Sequence, residues 1–315
     1  MMRYALRRLF LMIPTILLAT VLLFLAIRLM PGSAVELLAA DTAGSESSVE
    51  KIRERLGLDQ PAHEQYLRWM GNLFQGDLGT SFRTGEPIAS EIAKFLPVSL
   101  QVGFLSLLLA VAVAVPVGVI AGLHRDSALD YFCRGLAVLA LATPSFWIAI
   151  LVITWPSVWW GWSPPIGFER FWDDPMRNVQ QVWIPVTILG LHGTGALMRF
   201  TRTSVLEVAQ LDFVRTARAK GLAGRAIVTR HILRNALIPL LTLIGLQIPI
   251  LVGGVVITET VFSLPGMGRY LITALETRDY QVIQSLVLVL VVFVLLTNLV
   301  IDLFYALIDP RIKYG

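Results

Sequence analysis

Six runs of predominantly apolar residues, at 9–27, 98–123, 135–155, 182–198, 237–258 and 282–301, decide what this chain can fold into. A helix crossing the hydrocarbon core of a bilayer needs roughly 20 such residues. Lipid offers no partner to a backbone N–H or C=O, so the helix must satisfy its own. The expected fold is an all-α membrane protein with six transmembrane helices. Charged residues are 15% of the chain, where a soluble domain carries about a quarter. The fourth run is the shortest and holds His192, Gly193 and Gly195. The first run is too long for a cleavable signal, and no small-residue cleavage site follows in Arg28-Leu29-Met30-Pro31.

Charge sets the orientation. Six spans put both termini on one side, and that side collects 15 basic residues against 5 acidic ones. The other side holds 11 basic and 15 acidic residues. The excess of Lys and Arg marks the cytoplasmic side, so both termini of this multi-pass membrane protein are expected there. Trp155, Trp159, Trp160, Trp162, Trp172 and Trp183 crowd the third and fourth span ends and suit an interfacial aromatic belt. The single cysteine, Cys133, rules out an intrachain disulfide.

Two connections read as structured. In the long extracytoplasmic one, residues 49–56 and 63–74 have helical spacing, and Gly76-Asp-Leu-Gly79 is turn chemistry. A loop of this size suits docking an extracytoplasmic partner or capping the bundle. The cytoplasmic connection is basic, and its charge follows the positive-inside rule. Thr203 is placed to cap a helix in which Leu206, Ala209, Phe213 and Ala217 recur at spacings of three and four. Gly221 ends or bends that helix, and a second short helix follows with Ala223 and Ile227 four apart. The apolar stripe and the glycine are not explained by the charge rule.

Chemistry of other classes is missing. There is no G-x-x-x-x-G-K-[ST] phosphate loop, since Gly221-Leu-Ala-Gly224-Arg225 lacks both the length and the lysine. There is no H-E-x-x-H, paired-cysteine site or G-x-S-x-G elbow. The chain is therefore not expected to be an enzyme, to bind a metal or to carry a cofactor of its own, and no nucleic-acid partner is expected. The spans are nearly free of charge, whereas ion-coupled carriers use buried ionisable groups. The polar residues within or near spans are Gln101, Thr143, Ser145, His192, Thr194, Gln247 and Asn298. Such groups commonly bond neighbouring helices; Gln101, Ser145, His192, Gln247 and Asn298 are the candidates for a translocation path. Pro116, Pro144 and Pro249 are expected to kink their spans.

Several motifs, in order along the whole chain, resemble the inner-membrane permease subunits of ABC importers of the oligopeptide/dipeptide/nickel group. They are Leu6-Arg-Arg-Leu-Phe10, Arg28-Leu-Met-Pro-Gly32, Leu56-Gly-Leu-Asp-Gln-Pro61, Gly76-Asp-Leu-Gly-Thr-Ser81, Phe213 through Leu222, Thr258-Glu-Thr-Val-Phe262, Leu264-Pro-Gly-Met-Gly268, Arg278-Asp-Tyr280 and Asp309-Pro-Arg-Ile-Lys-Tyr314. The wider importer superfamily reads E-A-A-x-x-x-G in the cytoplasmic loop. Anchored on Gly221, this chain has Arg215, Thr216 and Ala217 instead, a departure shared by the peptide branch.

The resemblance implies a type I ABC importer permease fold with a large helical extracytoplasmic loop after the first span. Residues 1–30 would form the N-terminus and first span, 31–97 the loop, 98–308 a five-helix core with a coupling loop at 199–236, and 309–315 a cytoplasmic tail. It implies a heterodimer with a second homologous permease, two ATPase subunits carrying ATP and Mg, an extracytoplasmic substrate-binding protein and surrounding membrane lipid. Arg215, Thr216, Ala217, Arg218, Ala219, Lys220, Gly221, Leu222 and Ile227 would couple to the ATPase, with Ala217 and Ala219 giving small docking surfaces on one short helix around residues 216–230. The implied cargo is di- or oligopeptides. Nickel chelates, glutathione or an oligosaccharide stand as alternatives, and a stand-alone secondary transporter as a distant one.

Overall fold

A computed structural model describes residues 2–29, 59–165 and 167–308. The expected helix at 49–56 and the tail at 309–315 lie outside them. The described residues form helices α1 (Met2–Arg28), α2 (Ala62–Phe74), α3 (Ile88–Leu123), α4 (Ala128–Ala142), α5 (Ser145–Trp160), α6 (Pro175–Ala209), α7 (Asp212–Ala219), a helical turn at Gly224–Ala226, a π-helical segment at Ile227–Leu233, then α8 (Arg234–Val261), α9 (Met267–Glu276) and α10 (Tyr280–Ile308). They separate into two compact units: Leu6–Val98 with Pro265–Leu295, and Met1–Ala5 with Ser99–Leu264 and Leu296–Gly315.

In the first unit, Ile27, Ile88, Ile92, Met267, Val282, Ile283 and Leu286 make the core. The α2 helix, expected at 63–74, packs on α1: the Thr20 hydroxyl and the Tyr66 hydroxyl lie 2.9 Å apart, and the Phe24 and Tyr66 rings meet edge-on at 5.3 Å. The expected turn follows, with both Gly76 and Gly79 at positive φ. It is stitched to the start of α10. Asp279 caps α10 by accepting from the Val282 N–H at 3.3 Å, and its other oxygen accepts from the Ser81 hydroxyl at 2.6 Å. The Ser285 hydroxyl donates to the Leu78 carbonyl. Two of the sequence motifs, far apart in the chain, are thus one packed structure.

The second unit is built around α6. Its 35 residues include sixteen buried ones, and small residues let its neighbours come close. A Cβ added at Gly118 of α3 would lie 2.7 Å from the Met198 carbonyl oxygen, and one added at Gly195 would lie 2.8 Å from the Ala137 carbonyl oxygen of α4. Small residues at such crossings allow backbone-to-backbone approach.

Four described helices are long and apolar enough to cross a membrane: they lie in α1, α3, α8 and α10. The third expected span, 135–155, is not one straight helix. Thr143 and Pro144 take extended backbone and the chain turns by 88° between α4 and α5, giving a fifth span only if the bent pair counts as one. Proline disfavours helical backbone at the residue before it and lacks the N–H that would continue the helix. Pro116 and Pro249, in contrast, lie inside continuous helices. The fourth expected span, 182–198, lies within α6 but is not apolar enough to count on composition alone. Most of its residues are turned to other helices, so it needs little hydrophobicity. The α3 helix, at 36 residues, is about 54 Å long and exceeds a hydrocarbon core of about 30 Å.

Candidate functional site

The loop between α6 and α8 holds the best-defined candidate site. Thr203 does not cap a new helix there. It sits inside α6, donating its hydroxyl to the Arg199 carbonyl, and the helix runs on to Ala209. The break comes at Gln210 and Leu211, and it resets the helical phase. The expected stripe of Leu206, Ala209, Phe213 and Ala217 is replaced by Val205, Val214 and Ala217 as the fully buried set. Phe213 turns outward.

The eight-residue helix α7 is too short to stand alone, since isolated helices below about 12 residues are marginal in water. Val214 and Ala217 tie it to Val119, Val205, Ile227, Ile232 and Ala236. Its end is a Schellman motif: the Leu222 N–H bonds the Ala217 carbonyl at 3.3 Å and the Gly221 N–H bonds the Arg218 carbonyl at 3.0 Å. Gly221 has φ +75°, and nothing lies within 4 Å of where its Cβ would be. Of the two roles expected for Gly221, the structure shows the one of ending the helix.

No separate helix spans residues 216–230. The chain after Gly221 enters a turn at Gly224–Ala226 and then the π-helical segment, which runs into α8. The i→i+5 bonding of a π-helix brings residues five apart onto one face. Ile227 and Ile232 are both buried by it.

The expectation that Ala217 offers a docking surface is corrected here. Ala217 and Ile227 face the chain's own core. The outward surface is Leu211, Phe213, Arg215, Thr216, Arg218, Ala219, Lys220 and Leu222. Leu211 is 48% exposed, Phe213 40% and Leu222 44%, three large apolar groups among three cations. Sequence periodicity missed Leu211 and Phe213 because it assumed an unbroken helix.

At the base of the loop lies an ionic knot absent from the sequence reading. Asp130, wholly buried in the first turn of α4, accepts from Arg202 Nε at 2.5 Å and Nη2 at 2.7 Å. It also accepts from the Asp126 N–H at 3.0 Å, while the Ser127 hydroxyl accepts from the Asp130 N–H as the helix cap. The spacing Ser127-x-x-Asp130, a cap with an acid three residues on, was the available signal. At the other end of α8, Glu259 is likewise wholly buried and accepts from the Ser99 hydroxyl at 2.5 Å.

The path candidates are divided. Gln101 is engaged by a neighbouring helix, donating to Asn178 Oδ1 at 2.5 Å. Gln247 donates to the Gly193 carbonyl at 3.5 Å, beside His192, whose buried Nδ1 has no hydrogen-bond partner. Ser145 is half-buried at the start of α5, and Asn298 is exposed on α10.

Comparison with known proteins accounts for the whole chain. Residues 1–103 match the N-terminal part of the binding-protein-dependent transport system membrane component, and residues 114–314 match the binding-protein-dependent transport system inner membrane component. A protein of Brucella abortus (strain 2308), provisionally named a peptide transport system permease protein, is 40% identical over 302 residues, 96% of each chain. The dipeptide transport system permease protein DppB of Escherichia coli (strain K12) is 36% identical over 337 residues, covering 100% of this chain and 99% of that one. A crystal structure of an amino acid ABC transporter with histidines shares the fold, with a TM-score of 0.54 at 14% identity over 69% of this chain and 94% of that one. The chain belongs to the family of binding-protein-dependent transport system inner membrane components.

Proposed function

We propose that this chain is one of two permease subunits of an ATP-driven peptide importer, and that its α6–α8 loop is where an ATPase subunit grips it. Family membership supports the importer class, and the names of the relatives support peptides as cargo. The observation that carries the coupling role is the geometry of α7: Val214 and Ala217 lock it to the bundle, while Leu211, Phe213 and Leu222 face outward beside Arg215, Arg218 and Lys220. Such a plate can take a push and pass it to α6 and α8 without bending away.

In this reading the α4–α5 pair is the third span and α6 the fourth, giving six in all, with both termini and the loop in the cytoplasm. ATP, with Mg, binds the partner ATPases and closes them. Their motion reaches the spans through α7, and the path switches from inside to outside. A binding protein releases peptide into it, and hydrolysis resets the gate. Coupling requires that ATP favour one conformation over the other. Gln247, which donates to the Gly193 carbonyl, and His192, whose Nδ1 has no partner, are this chain's candidates to meet peptide amides. Gln101, already engaged by Asn178, is positioned to hold helices together.

The test is Phe213→Asp with Leu211→Asp in the assembled transporter, with peptide-stimulated ATP hydrolysis and uptake as readouts. Both are expected to fall while the complex still folds. Retention of both at wild-type rates would remove the coupling role from this surface.

A further inference from the structure

A cavity between α4 and α6 holds cationic groups for which the coupling mechanism has no use. Arg134, Val138, Arg199, Arg202 and Thr203 line a space of about 350 Å³, within the size range of small-ligand sites, roughly 300–1,000 Å³. Only one of its guanidinium groups is fully matched. Arg202 is held by Asp130 through two hydrogen bonds. Arg134 has its Nε 3.6 Å from the same carboxylate, and its Nε and Nη2 donors have no hydrogen-bond partner. Arg199 is exposed, and no carboxylate among the described residues pairs with it. The nearby Asp126 is paired with Arg125. One carboxylate therefore serves two of the three guanidinium groups that line the space, and the third, Arg199, is exposed at it.

The chemistry fits a phosphate. Guanidinium forks match phosphate oxygens in bidentate geometry, and the Thr203 hydroxyl lines the same cavity. The apolar wall adds a second property. Val138 is exposed, as is Tyr131, which shares its face of α4 seven residues earlier, while Phe132 and Leu139 are exposed on the adjoining face. A phosphate seated among the arginines would leave an acyl chain free to lie along that face.

We propose that this cavity binds a phosphate group, supplied by an anionic phospholipid headgroup or by free phosphate. The lipid source rests on the reading of this end of α4 and α6 as a membrane interface, where basic pockets between helices take such headgroups. The bound phosphate fastens α4 to α6 one helix before the coupling surface, and so sets how firmly α7 is held.

The assembled transporter, purified in nanodiscs of phosphatidylcholine with phosphatidylglycerol, is the material for the test. Native mass spectrometry reads the retained lipid for the wild type, Arg199→Gln and Thr203→Glu. Both variants alter exposed positions and leave the Asp130–Arg202 pair in place. The wild type is expected to retain phosphatidylglycerol over phosphatidylcholine. Arg199→Gln should lose about five-fold in that preference, the factor corresponding to about 1 kcal/mol per basic residue at an anionic surface. Thr203→Glu should lose more, with unchanged thermal unfolding.

A second arm titrates inorganic phosphate into the delipidated complex in detergent. Phosphate binding that both variants abolish, without a lipid preference, assigns the site to free phosphate. Equal retention of phosphatidylglycerol by all three proteins, with no variant-sensitive phosphate binding, overturns the proposal. Peptide-stimulated ATP hydrolysis on the same samples keeps the transport reading separate: its absence in the wild type would sink that reading and leave the lipid result standing.

Discussion

Asp130 and Arg202, 72 residues apart in the chain, meet in a bidentate pair whose carboxylate is wholly out of solvent. The pair joins the start of α4 to the stretch of α6 that leads into the α6–α8 loop. Removing one partner of a buried pair strands the other charge and costs about 3–5 kcal/mol, while replacing both with apolar or neutral groups costs far less. Arg202→Met is therefore expected to lower the unfolding temperature of the purified complex, and Asp130→Asn with Arg202→Met to recover most of the loss. Additive effects in that double-mutant cycle would show that the two residues do not act as a pair.

Phe213 and Ile232 lie on opposite sides of the α7 surface and separate coupling from folding. Ile232 is buried beneath the loop, and Ile→Ala in a core costs about 2–5 kcal/mol. Phe213→Ala, at an exposed position, should change stability by less than about 0.5 kcal/mol. Its effect should fall on peptide-stimulated ATP hydrolysis instead. Thermal unfolding and hydrolysis measured on both variants check the assignment.

Gly221 is the residue at which backbone conformation, rather than space, sets the tolerance. Its φ of +75° leaves room for a side chain, but a Cβ in left-handed backbone costs about 1–2 kcal/mol. Asparagine tolerates that region better than alanine. Uptake is expected to rank glycine above asparagine above alanine at this position. An alanine variant as active as the wild type would contradict the Schellman ending.

Tyr270 gives a pH signature. Burial first, then the charges of Asp279 and Glu91, push its hydroxyl up from 10.0 to about 12, and its oxygen has no hydrogen-bond partner. The folded chain keeps this proton where the unfolded chain has released it. Between about pH 10 and about 12 the folded state binds more protons, and stability falls as pH rises through that window. Tyrosinate absorbance should show one of the 7 tyrosines titrating late, and Tyr270→Phe should abolish that step.

Membrane residence, helical class and family were legible because lipid imposes a length and a polarity on each exposed span. The loop between α6 and α8 was located by its charge and its glycine. The short helix α2 and the Gly76–Gly79 turn were also readable, since amphipathic spacing and turn residues act locally. The bend in the 135–155 run was expected at Pro144, and the chain turns there by 88°. What failed was a stripe that assumed continuity and put Phe213 inward: the helix breaks at Gln210-Leu211, where no proline or glycine marks the break.

By itself the sequence determined that this chain crosses a membrane and offers a basic helical loop to one side, because solvent and lipid act on each segment separately. Only the tertiary structure decided which face of that loop is free, that Asp130 belongs with Arg202, and that Ser81 belongs with Asp279. Those pairings join residues far apart in the chain, and a buried charge or hydroxyl gains its partner only when helices pack. The same packing explains α6, whose small and polar residues look weak for a span until Gly118 and Gly195 bring its neighbours against it.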